Sequence, residues 1–76
     1  MKTFKDAAFV LSLHEDVSPG TLRINLRWLG NHEIFDFNLD RLGKVVACAT
    51  ETENTGWVMI EHPRRFLNVG EAIPLR

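Results

Sequence analysis

Between Thr21 and Asp40 the chain reads TLRINLRWLGNHEIFDFNLD, and this stretch constrains the fold more than any other. Leu22, Ile24, Leu26 and Trp28 alternate with Thr21, Arg23, Asn25 and Arg27, the period of a strand with one buried and one wet face. After Gly30-Asn31 the alternation resumes, with Phe35, Phe37 and Leu39 apolar and Asp36, Asn38 and Asp40 polar. A two-residue turn at Gly30-Asn31, with Gly supplying a positive φ, predicts a hairpin. In that register Leu26 faces Phe35, Ile24 faces Phe37 and Leu22 faces Leu39 on the core side, while Asn25 faces Asp36 on the wet side. A slip of one residue would turn both phenylalanines into water, so turn and pattern specify one register.

Other strands follow from the same logic. Residues 7–14, AAFVLSLH, place Phe9, Leu11 and Leu13 on one face and Ala8, Val10, Ser12 and His14 on the other. Pro19-Gly20 suits the centre of a type II turn leading into Thr21. The segment from Leu39 to Thr55 is ambiguous. A helix over 39–53 would align Leu39, Leu42, Val46 and Ala49 on one stripe. Gly43 and the β-branched Val45, Val46, Thr50 and Thr52 oppose that helix and favour a strand over 44–52. Glu53-Asn54-Thr55-Gly56 would then turn the chain, with Gly56 left-handed, into Trp57–His62, which Pro63 ends. Ala72–Leu75 reads as a short edge strand, because Pro74 cannot donate to a ladder. The expected fold is mostly β, an antiparallel meander of five or six strands curled into a small SH3-like or Sm-like open barrel. The competing arrangement is α+β, a four-stranded sheet with one helix at 39–53.

The chain's 76 residues read as a single small domain, 1–76, and 45% hydrophobic with 25% charged residues suits a globular chain. A formal charge of −1 gives no general attraction to nucleic acid or anionic membrane. Cys48, the single cysteine, has no internal disulfide partner, which favours a reducing cytoplasm. The residues from Met1 to His14 predict neither a signal peptide nor a spanning helix.

The sequence predicts no catalytic residues, no metal and no cofactor. His14, His32 and His62 lie far apart, and no two His or Cys are closer than the 14 residues from Cys48 to His62, so zinc-ligand spacing is absent. Cys48 sits among Val46, Ala47 and Ala49, an apolar setting unsuited to a reactive thiolate. The five glycines are scattered and form no phosphate loop.

Two binding readings remain. The first is a protein-interaction or regulatory module, acting on a partner or a second copy through a sheet edge or an apolar and arginine-rich patch. Its expected contact residues are Arg64, Arg65, Phe66 and Leu67, with Arg23 and Arg27 of the wet face. Val10, Ile34, Val58 and Ile60 would fall opposite the core rows and enlarge the sticky surface. The second is a barrel that binds single-stranded nucleic acid through Arg23, Arg27, Lys44, Arg64 and Arg65. Trp57 and Phe66 are the aromatics left to stack, and Asp36, beside Asn25, is expected to neutralise the arginines.

Overall fold

A computed structural model describes residues 7–76 as one antiparallel sheet of five strands with its edges not joined. The strands are β1 (Ala7–Ser18), β2 (Thr21–Trp28), β3 (Lys44–Thr52), β4 (Thr55–Glu61) and β5 (Ala72–Pro74), in the order β3-β4-β2-β1-β5. The fold is mostly β, as the alternation predicts, and 44–52 is a strand; residues 39–42 form only a short 3₁₀ turn, so the α+β arrangement is not adopted. Among the described residues no helix is long and apolar enough to cross a membrane.

β2 lies at the centre because its alternation satisfies two neighbours at once. Its backbone pairs with β1 on one side (Val10 opposite Leu26, Leu13 opposite Ile24) and with β4 on the other (Ile24 opposite Val58, Leu22 opposite Ile60). Leu22, Ile24, Leu26 and Trp28 are all at most 8% exposed. Each such side chain contributes about 1.5–3 kcal/mol of transfer free energy. Val58 and Ile60 of β4, Ala8 and Val10 of β1 and Ile73 of β5 complete the sheet's side of the core.

With both sides of β2 occupied, the predicted hairpin at Gly30-Asn31 does not form. Residues 29–43 instead cross the core face as an irregular strap, with 3₁₀ turns at Ile34–Asp36 and Leu39–Leu42. Local bonds compete here with strand pairing: the Glu33 N–H donates to the Asp36 carboxylate at 2.7 Å, and the Asp36 N–H donates to the Glu33 carbonyl at 2.9 Å. The buried set of the strap is Ile34, Phe37, Leu39 and Leu42, which includes two pairs spaced by three as 3₁₀ geometry requires. Phe35, expected inside, is 59% exposed.

The strap touches both margins of the sheet. The Ile34 N–H donates to Thr50 Oγ1 of β3 at 2.8 Å. At the other margin Phe37 bridges Leu75, and the Asn38 N–H donates to the Pro74 carbonyl at 2.8 Å, so the strap runs along the outer side of β5. Arg76 fastens it there, through its backbone N–H to the Asp36 carbonyl at 3.0 Å and its Nε to the Phe35 carbonyl at 3.1 Å. Among the described residues β3 is left as the margin with neither a strand nor a strap segment paired along it.

Three one-residue bulges adjust the faces. In β1 the register steps from Val10 to Ser12 against adjacent Leu26 and Asn25, so Leu11 is extruded and 46% exposed. The bulge brings Ala8, Val10 and Leu13 to the core face, which the uninterrupted alternation had divided between two faces. In β3, Val46 and Glu51 are extruded in the same way. Two residues, Glu53 and Asn54, connect β3 to β4, so Gly56 is not the left-handed turn residue expected but lies inside β4. A Cβ there would come within 2.6 Å of the Ala49 carbonyl oxygen and 3.0 Å of the Trp28 ring, so only glycine lets the indole lie across the strand. Gly43, with φ +149°, meets a similar limit: a Cβ would lie 2.5 Å from Ile60 Cγ2.

The strap makes its two neighbouring phenylalanines unequal. Phe37→Ala should cost about 3–5 kcal/mol in urea unfolding, and Phe35→Ala within about 0.5 kcal/mol; equal losses would restore the hairpin. Gly56→Ala should cost about 1–3 kcal/mol by overpacking against Trp28, and an unchanged unfolding midpoint would contradict that contact.

Candidate binding surfaces

The first surface grows out of the segment after β4. Leu67 is 7% exposed and packs into the core, so it leaves the set of contact residues expected from sequence. Its neighbour Arg65 is tied back: Nη2 bonds the Glu71 carboxylate, and Nη1 donates to the Phe66 carbonyl at 3.2 Å. Glu71 also accepts from the Asn68 N–H at 3.2 Å, and the Gly70 N–H donates to the Val10 carbonyl at 2.7 Å. With Leu67 turned in and Arg65 anchored, Phe66 projects outward and is 94% exposed. It stands at the rim of an open depression of about 480 Å³ whose apolar lining is Leu13, Leu22, Pro63 and Leu67. Arg64 is exposed, its backbone N–H bonded to the Leu42 carbonyl at 2.9 Å.

A second depression, of about 460 Å³, lies between β1, the end of β2 and the loop before β5. Leu11, Leu29 and Val69 line it, each between 46% and 68% exposed. The apolar surplus expected to make a sticky patch is elsewhere: Val10, Ile34, Val58 and Ile60 are all at most 2% exposed, because β4 and the strap turn them into the core.

The third surface is the sheet face away from the strap. Arg23, Asn25 and Arg27 project there from β2, as the alternation predicts. Their cross-strand partners are His14, Ser12 and Phe9 on β1, and Met59, Trp57 and Thr55 on β4. Asp36 is not among them; its carboxylate serves the Glu33 N–H and lies 3.8 Å from His32 Nδ1. Asn25 instead organises the face. Its Nδ2 donates to Ser12 Oγ at 3.0 Å and lies 3.3 Å from His14 Nε2, and its Oδ1 accepts from Arg23 Nε at 3.4 Å. The Arg23 guanidinium lies over the Trp57 ring, 5.0 Å from its centroid. This Arg–Trp contact spans two strands 34 residues apart in sequence, and no local spacing signals it.

The remaining expected cations are placed differently. Lys44 lies 3.8 Å from the Glu61 carboxylate, Arg65 is engaged by Glu71, and Arg64 lies beyond the end of β4. Among the described residues no group of three or more His, Cys, Asp or Glu could hold a metal ion. Cys48 is partly buried against the core.

The Arg65–Glu71 pair sets a pH dependence. The hydrogen bond from Arg65 holds the Glu71 carboxyl below the ordinary glutamate value, against a smaller opposing effect of burial. A carboxyl whose folded value is depressed stabilises the loop above its unfolded value, and that contribution is lost as pH falls through the folded one. In an NMR titration the Asn68 amide should therefore shift with a midpoint below the model-peptide value of 4.5, and Glu71→Gln should abolish the transition. A midpoint at or above the ordinary value would contradict the clamp.

No protein-family model, curated protein or solved structure matches this chain.

Proposed function

We propose that this protein is a small protein-binding module whose contact surface is centred on Phe66. The observation that carries the reading is a phenylalanine 94% exposed beside an apolar depression, on a loop fastened by Arg65, Glu71 and a buried Leu67. Complete exposure of a large aromatic ring costs apolar hydration free energy, and an aromatic flanked by arginine has the composition of an interface hot spot. Because the loop is held by its own bonds, little ordering entropy is lost when a partner covers Phe66. Arg64, exposed beside it, offers a charge at the rim. The partner is a second copy of this chain or another protein with an apolar side chain that fills the depression beside Phe66, between Leu13 and Pro63.

The double variant Arg64→Glu, Phe66→Ala should keep its thermal midpoint within about 0.5 kcal/mol of wild type, since neither side chain is in the core. It should lose proteins that wild type retains in a pull-down, and lose any dimer mass seen by light scattering, with a hot-spot effect of about 2 kcal/mol or more. Unchanged retention and unchanged mass would remove this surface from the account.

A further inference from the structure

The outer face of the sheet carries chemistry that the Phe66 surface does not use. We infer that this face, at Arg23, Arg27 and Trp57, is a binding site for a short stretch of single-stranded nucleic acid. Three observations support it. Arg23 is already oriented: Asn25 accepts from its Nε, Asn25 is itself braced by Ser12 and His14, and the guanidinium rests on Trp57. An arginine held in this way has less rotamer freedom to lose when a ligand arrives, and among the described residues its terminal nitrogens make no ion pair, which leaves them for a phosphate.

Charge is the second. Among the described residues no carboxylate forms an ion pair with Arg23 or Arg27, and none of the cross-strand partners of residues 23, 25 and 27 is acidic. The patch is positive on a chain of net charge −1, so its sign is local and complements a polyanion. The third is spacing. Arg23 and Arg27 lie on one face of β2, about 13 Å apart at the rise of a strand, and Trp57 sits opposite Asn25, midway between them. Cations flanking an aromatic ring match a backbone whose phosphates meet the arginines while a base stacks on the indole or on the guanidinium plane lying against it. An acidic polypeptide would satisfy the charges but carries no base to stack on the indole or on the guanidinium plane lying against it.

The test is titration of the whole chain with a fluorescein-labelled oligothymidylate of about 12 nucleotides at low salt. Trp28 is fully buried, so quenching of tryptophan emission reports Trp57. Two neutralised phosphates should give a slope of log affinity on log salt near −1.4, and Arg23→Gln or Arg27→Gln should each reduce its size by about 0.7. Trp57→Ala should weaken binding roughly tenfold while Trp57→Phe retains most of it, because stacking is worth a factor of that order. Arg27 is exposed and its side chain makes no ion pair among the described residues, so Arg27→Gln stays informative even where Trp57→Ala fails to fold. Phe66→Ala should bind the oligonucleotide as wild type does, which separates this site from the protein-binding surface. No binding at low salt, equal affinity for poly-glutamate, or affinity indifferent to residues 27 and 57 would each overturn the assignment.

Discussion

Everything in this fold follows from β2 being paired along both of its sides. A strand in the middle of a sheet has no backbone donors or acceptors left for a further neighbour, so whatever follows Trp28 must find partners elsewhere. Residues 29–43 find them in short-range bonds between Glu33 and Asp36, and in two contacts at opposite margins of the sheet, Thr50 and Pro74. The strap can then cover the core face with Ile34, Phe37, Leu39 and Leu42 while the backbone N–H groups of Glu33, Ile34, Asp36 and Asn38 stay bonded. The Trp28 indole, seated over Gly56 and 5.1 Å from the Phe37 ring centroid, joins sheet and strap.

The segments that could be read from sequence are those in which a strand's own period decides its burial. β2 is the clearest, with four apolar residues on one face and Arg23, Asn25 and Arg27 on the other. β3 was distinguishable from a helix because β-branched residues and Gly43 outweighed an apolar stripe. The strap departs from its own pattern because Phe35, Phe37 and Leu39 alternate just as a strand does, and nothing local reveals that β4 already occupies the position a hairpin partner would take. A spacing of three, Ile34 to Phe37 and Leu39 to Leu42, together with a Glu-x-x-Asp pair, was the signal available for 3₁₀ turns. Bulges such as that at Leu11 are equally hidden, since one extra residue reverses every facing assignment beyond it.

The surfaces divide in the same way. Arg27 and Phe66 are exposed and Arg23 is half-buried on the outer face, positions that strand alternation and the arginine pair at 64–65 make readable locally. Leu67 is buried instead, in a core assembled from residues distant in sequence. The organising role of Asn25 depends on pairing with Ser12 thirteen residues away and with Trp57 on a third strand.

The two bulges of β3 also bear on how readily a further chain could extend the sheet. With β5 flanked by the strap, β3 is, among the described residues, the margin at which an incoming chain could extend the sheet. Its regular run between Val46 and Glu51 is only Ala47–Thr50, and both interruptions twist the strand away from a flat template. Cross-β stacking needs a longer uniform ribbon than these four residues offer, so both interruptions work against fibril growth from this margin.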